Sequence, residues 1–167
     1  MNSFENIIGN LCKVFLPIPE ELYLGTNNSA VAICTLSSID LLKNFAISDI
    51  LSQISIVGRL LSENKGINSI LKHVNQNKNI KIIIVCGKDA SGHKAGHSLF
   101  QLHLNGIDDN GRIIGSTSPD PFLSVNKDEV NYFQREITLI NMINEINPEI
   151  IKQKVISINN QFSVSRD

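Results

Sequence analysis

Lys81-Ile82-Ile83-Ile84-Val85-Cys86-Gly87-Lys88-Asp89-Ala90-Ser91-Gly92-His93-Lys94-Ala95-Gly96-His97 is the stretch whose reading decides the fold. Lys81 to Cys86 is β-branched almost throughout, the pattern of a strand buried on both faces of a parallel sheet. The run empties into a glycine-rich turn, and a helix is predicted from about His93 to Leu104, stopped by Asn105-Gly106. In an open α/β sheet such a turn lies in the crevice at the carboxyl edge, where ligands bind.

Working outward, Asn27-Asn28-Ser29 reads as a turn before a first core strand, Ala30 to Leu36. Ser37-Ser38 can cap a helix over Ile39 to Ile47, whose apolar residues recur at three- and four-residue spacing. A short strand is predicted at Ile54 to Ile56, then a loop, Leu61 to Gly66, and a helix from about Ile67 to Asn75. Beyond the central stretch, Ile107 to Gly111 forms turns, Arg112 to Gly115 a short strand, and Ser116 to Phe122 a long loop on the same edge. Asp128 opens an amphipathic helix predicted to run to about Asn144, and Pro148 starts a polar-faced tail helix. Met1 to Gly25 reads as an irregular or partly helical lead-in. Strand and helix alternate through the middle, which predicts an α/β, Rossmann-like three-layer fold with a mainly parallel sheet. Residues 1–145 read as a single α/β domain and 146–167 as a polar C-terminal helix or tail. Three loops are expected to converge at the carboxyl edge: Thr35 to Ser38, Leu61 to Gly66 and Gly87 to Gly96.

The chain has 167 residues, 42% of them hydrophobic, enough for one good core. A net charge of −1 with acids and bases mixed, and no basic cluster with interleaved aromatics, argues against a nucleic-acid partner. Cys12, Cys34 and Cys86 are far apart, with no CxxC pair and no secretory signal, so a reducing cytoplasm is the simplest setting. No apolar run approaches the ~20 residues needed to span a bilayer, and no membrane insertion is expected.

Several chemistries compete for the glycine loop. His93 and His97 are one helical turn apart, an invitation to zinc, with Cys86 or Glu63 as a third ligand. The general base that H-E-x-x-H places between its histidines is missing. Gly87-x4-Gly92 has P-loop glycine spacing, but His93 occupies the lysine position and Ala95 stands where a hydroxyl must hold magnesium. There is neither a G-x-G-x-x-G nor a G-x-S-x-G elbow. The third reading is a corrinoid: cobalt(III) accepts a neutral imidazole, and a flat macrocycle can reach it only where neighbouring backbone stays low, which glycine provides. His93-x-x-Gly96 resembles the H-x-x-G half of the cobalamin motif of corrinoid methyltransferases and mutases, although their aspartate lies two residues before the histidine and Asp89 lies four before His93.

A longer pattern is more specific. It runs through Cys86-Gly87, Gly92-His93, Gly96-His97-Ser98 and Leu102-His103-x-Asn105-Gly106-Ile107-Asp108-Asp109-x-Gly111-Arg112-Ile113-Ile114-Gly115. With Ala30-Val31-Ala32, Thr35-Leu36, Ser62-Glu63-Asn64-x-Gly66-Ile67, Pro121-Phe122 and Phe133-Gln134, it resembles the cobamide-binding A subunit of tetrahydromethanopterin S-methyltransferase. The resemblance covers roughly Tyr23 to Met142. It implies that His93 is the lower axial ligand to cobalt, the metal-binding residue. It matches Glu63 to the family's glutamate, here inferred to hold the distal imidazole nitrogen, as carboxylates commonly do for metal-bound histidine. Gly87, Gly92 and Gly96 would then allow close approach of the corrin. Asp89, Thr35, Ser37, His97, Pro121 and Phe122 would belong to the cofactor-binding surroundings, His97 standing where the family usually carries a polar amide. Because Gln153 to Asp167 is polar and short, the chain is expected to be a soluble, stand-alone relative.

The function the resemblance implies is methyl transfer on cobalt, from methyl-tetrahydromethanopterin or a related donor to a thiol such as coenzyme M. The cofactor would be cobalamin or a related cobamide. His93 and Glu63 would be the working residues, the imidazole leaving and rejoining the metal each cycle, and a partner methyltransferase protein would present the donor. The alternatives are a non-catalytic corrinoid carrier and a zinc-dependent enzyme.

Overall fold

The computed structural model describes residues 21–164, with side chains as far as Gln161. Its elements in chain order are β1 (Leu22–Leu24), β2 (Val31–Cys34), α1 (Ile39–Ala46), a 3-10 turn (Asp49–Gln53), β3 (Ile56–Gly58) and α2 (Lys65–Gln76). There follow β4 (Ile82–Gly87), α3 (Ala95–Asn105), α4 (Lys127–Glu136), β5 (Thr138–Ile143) and α5 (Pro148–Val164).

The five-stranded sheet has the order β1-β3-β2-β4-β5. Only β1 runs antiparallel; β3, β2, β4 and β5 are parallel to one another. Alternation along β4 sends its side chains to two cores, as a strand covered on both faces requires. Ile83 and Val85 join Ile67 and Leu71 of α2, Leu99 and Leu102 of α3, and Val130 and Phe133 of α4. Ile82, Ile84 and Cys86 join Leu41, Leu42 and Phe45 of α1, and Ile151, Val155 and Ile158 of α5. The result is the expected three-layer α/β fold with a mainly parallel sheet. The helix after β2 packs on one face and the helix after β4 on the other. Neighbouring strands whose connections part in opposite directions leave a crevice between them, the topological switch point of an open α/β sheet.

Four elements differ from their sequence-based expectation. The helix expected from Asp128 to Asn144 ends at Glu136, and β5 follows it along β4, from Ile82 opposite Thr138 to Gly87 opposite Ile143. His103 Nε2 donates to the carbonyl of Ile137 at 2.7 Å, holding the chain extended where α4 stops. The second short strand lies at Ile56–Gly58, two residues later than expected, because the 3-10 turn occupies Asp49–Gln53. Arg112 to Gly115 contributes only isolated bridges, Ile107 to Ile113 and Arg112 to Phe122. Within the lead-in, Leu22–Leu24 forms β1 against β3; the rest of it up to Glu20, with Cys12, lies outside the described residues.

Candidate functional site

Four loops meet at the carboxyl edge, each tied to the next by hydrogen bonds across long sequence separations. From the loop after β2, the Ser37 hydroxyl donates to the Lys88 carbonyl at 2.6 Å, and the Lys88 amide returns a bond to Ser38 Oγ at 2.9 Å. The loop before α2 carries Glu63, which is 0% exposed. Glu63 Oε2 accepts from His93 Nδ1 at 2.9 Å, and Oε1 accepts from the amide of Asp120 at 3.0 Å. The Ser116 to Phe122 loop is thereby joined to the same carboxylate. The Asn64 amide group reinforces that junction by donating to Asp120 Oδ2 at 2.7 Å.

The central turn explains itself residue by residue. Ala90 to Lys94 forms a tight turn, the His93 and Lys94 amides both bonding the Ala90 carbonyl. The helix then begins at Ala95, not at His93. Lys94, at the N-cap in the left-handed region, offers no side-chain cap. Asp89 supplies it instead, accepting from the Gly96 and His97 amides at 3.0 and 2.9 Å. A carboxylate there satisfies otherwise open first-turn donors and meets the positive end of the helix dipole. Asp89 is therefore engaged as a cap, and the carboxylate that meets the imidazole is Glu63, from another loop.

The glycines divide into two kinds. Gly87 has φ +79°, and a Cβ there would lie 2.4 Å from the Thr35 carbonyl oxygen. Gly96 is buried, and a Cβ would press on Asp89 Oδ2 and the Leu36 methyls at 3.0–3.1 Å. Both are demanded by the protein's own packing. A Cβ at Gly92 would meet nothing within 4 Å, so this glycine keeps a surface low rather than a core tight.

Thr35 is fully buried, its hydroxyl donating to the Gly58 carbonyl at 3.4 Å. Pro121 is buried and Phe122 exposed, the latter at 46%. His97 Nε2 accepts from the Thr117 amide at 3.4 Å. Sequence reading missed three buried serines, Ser98, Ser116 and Ser118, whose hydroxyls bond one another. Ser118 also donates to the Lys94 carbonyl at 3.2 Å, pinning the Ser116 to Phe122 loop to the start of α3. The serine spacing in that loop was visible, but their partner on α3 was not.

The chemistry open to this arrangement centres on one nitrogen. Both Glu63 oxygens act as acceptors, so a neutral His93 carries its proton on Nδ1 and keeps the Nε2 lone pair. Nε2 makes no bond to any described residue, and the ring is 17% exposed. Among the described residues no three His, Cys, Asp or Glu side chains gather as a metal-binding set. Cys86 is fully buried in the opposite core, its thiol directed to the Cys34 carbonyl, so it does not complete a zinc site with the histidines. At this point of the crevice the arrangement presents one candidate metal-ligating atom, His93 Nε2.

The family of the A subunit of tetrahydromethanopterin S-methyltransferase matches residues 14–165. The chain belongs to that family. It is 37% identical over 141 residues to the A subunit of the putative methyltransferase Mtx of Methanosarcina acetivorans, covering 83% of this chain and 67% of that one. It is 31% identical over 148 residues to the A2 subunit of tetrahydromethanopterin S-methyltransferase from Methanothermobacter marburgensis, covering 83% and 77%. Against the A1 subunit of the same enzyme from Methanothermobacter thermautotrophicus it is 36% identical over 103 residues, and spans only 43% of that longer chain. Among the described residues of this family member, no helix is long and apolar enough to cross a membrane.

The buried thiols yield a prediction. Burial pushes the Cys34 thiol from 9.0 up to about 12, and raises Cys86 as well. At pH 8 the folded Cys34 thiolate is therefore about a thousandfold scarcer than in the unfolded chain. In a Cys12→Ser background, Ellman's reagent is expected to label neither cysteine readily in the native state and both in guanidinium. The folded form holds these protons more tightly, so stability is full below about pH 9 and falls as pH rises toward 12. A urea midpoint that does not fall between pH 8 and pH 10.5 would contradict this.

Proposed function

We propose that this chain binds a cobamide with His93 Nε2 as the lower axial ligand, and serves as the corrinoid-carrying component of a methyl transfer. The donor would be methyl-tetrahydromethanopterin or a related donor, and the acceptor a thiol such as coenzyme M. The observation that carries the reading is the buried Glu63 holding His93 Nδ1 at 2.9 Å, with Nε2 left as the donor atom. The corrin's cobalt, when bound, supplies the centre that takes up the methyl group and gives it away.

The chain's own residues would set the conditions for that chemistry. Glu63 fixes which imidazole nitrogen carries the proton and raises the basicity of the other, as carboxylate partners do for metal-bound histidine. The buried Glu63 carboxylate beside the ring would also offset the charge of a protonated His93. Gly92 keeps the approach beside His93 open, and Ser37 borders the crevice from the β2 side. His97 flanks the site through Thr117 rather than serving as a ligand. A partner methyltransferase protein would bring the methyl donor, and the free buried thiols suit a cytoplasmic setting.

The test is to mix the protein with hydroxocob(III)alamin, gel-filter it and record the visible spectrum. Retained colour with the spectrum of an imidazole-ligated, base-displaced corrinoid supports the reading, and a colourless protein overturns it. His97→Ala is expected to retain the colour and that spectrum unchanged.

A further inference from the structure

Three hydroxyls lie buried where the Ser116 to Phe122 loop meets the first turn of α3: Ser98, Ser116 and Ser118. Apolar side chains of this size would fill such a space with no polar group to satisfy, so the bonds these hydroxyls make are informative. Each has one proton to give. Ser118 Oγ gives its proton to the Lys94 carbonyl at 3.2 Å. Ser98 must then donate to Ser118, and Ser116 to Ser98 across 2.8 Å. Ser116 Oγ in turn accepts from the Ser118 amide at 3.2 Å. The relay therefore has one direction, from the Ser118 amide through three hydroxyls to the Lys94 carbonyl. Ser98 is its middle member.

Both ends of the relay reach the imidazole. Lys94 follows His93 in the chain and is held in the left-handed region at φ +47°. Its carbonyl also accepts from the Ser98 amide at 2.9 Å. On the loop side, Ser118 lies two residues before Asp120, whose amide occupies Glu63 Oε1. Arg112 Nη2 fixes the same loop by donating to the Ser116 carbonyl at 3.1 Å. The backbone that carries His93 and the loop that engages its carboxylate are thus locked to one hydroxyl. A shift of the loop along α3 would leave buried donors of the relay without acceptors, which is costly.

We infer that Ser98 is a positioning residue for His93. Through Ser118 and Lys94 it fixes the direction of the imidazole, and through the loop it keeps the Asp120 amide on Glu63. The consequence for corrinoid ligation rests on the function proposed above; the positioning of the ring does not.

The first measurements use the protein without corrinoid. Amide hydrogen exchange and the His93 ring-proton signal are followed by NMR in the wild type, in Ser98→Ala and in Ser118→Ala. The second variant cuts the same relay from the loop side, and the Nδ1 proton is assigned by its loss in His93→Ala. Removing either hydroxyl is expected to speed exchange of the Asp120 amide about tenfold or more beyond any change in the β4 amides, which report global opening. The ring-proton signal is expected to broaden or vanish in both variants. A merely structural role would speed all of these amides together and leave the ring signal in place, and that outcome overturns the inference.

The second measurement is a titration with hydroxocob(III)alamin. Both variants are expected to bind about tenfold more weakly than the wild type, with an unchanged imidazole-ligated spectrum in the fraction bound. Wild-type affinity in both variants overturns the link from Ser98 to ligation. If the wild type itself retains no corrinoid, the proposed function fails, and the exchange and ring-proton measurements still decide the role of Ser98.

Discussion

A His93→Ala protein is expected to lose the imidazole-ligated corrinoid spectrum entirely and to become less stable at the same time. The two losses have separate causes. Ligation disappears because the proposed donor atom, Nε2, is gone. Stability falls because Glu63, 0% exposed, keeps only the Asp120 amide as a partner for its carboxylate. Leaving a buried acceptor of that kind half satisfied costs about 2–3 kcal/mol. The double variant His93→Ala/Glu63→Gln separates them, regaining stability without regaining ligation.

Glu63→Gln alone distinguishes positioning from packing. Glutamine has nearly the shape of glutamate, but it presents one acceptor and one NH2 donor where the site has two donors, His93 Nδ1–H and the Asp120 amide. If its oxygen stays on the Asp120 amide, its NH2 faces Nδ1 and drives the imidazole proton to Nε2. The ligand atom is then protonated, and corrinoid affinity is expected to fall about 10–100-fold. The expected readout is a ligated spectrum that at constant pH is reached only at higher corrinoid concentration than in the wild type. A Glu63→Gln protein with wild-type retention and an unchanged ligated spectrum would overturn the assignment of Glu63.

The second large effect concerns the loop's glycines. Gly87→Ala is expected to lower stability by about 2–4 kcal/mol, because it sets a Cβ against the Thr35 carbonyl in a conformation L-residues avoid. For a chain of this size that is a Tm drop of roughly 4–16 °C. The strain falls on the Ser37–Lys88 and Lys88–Ser38 bonds that join the β2 and β4 loops. Gly92→Ala is the matched control, with open space at its Cβ position and stability expected within about 0.5 kcal/mol of wild type. It should nonetheless weaken corrinoid retention, because it raises the surface beside His93. If Gly87→Ala melts like the wild type, the packing explanation fails; if Gly92→Ala binds corrinoid normally, its proposed place under the ring fails.

Much of the fold was legible because its central parallel strands are local apolar runs. Val31–Cys34 and Ile82–Gly87 are buried at every residue, and no other element accommodates such runs between two helical layers. β5 was not legible. It is a half-exposed edge strand without clean alternation, and the residues ahead of it are good helix formers. What ends α4 is His103, 34 residues away in sequence, together with the ladder along β4. β1 is three residues long and has meaning only through its pairing with β3.

The site divides in the same way. By itself the sequence determined a parallel α/β sheet, a glycine turn at its carboxyl edge and the imidazole of His93 in that turn, since each follows from neighbours within a few residues. The contact of Glu63 with His93 was expected from the family resemblance and not from spacing; only the tertiary structure decided that Asp89 caps α3 and that an Asp120 backbone amide shares the Glu63 carboxylate. The physical reason is that a buried carboxylate takes whatever donors the packed chain brings within 3 Å. Here those donors lie 30 and 57 residues away, a distance over which residue spacing carries no directional information.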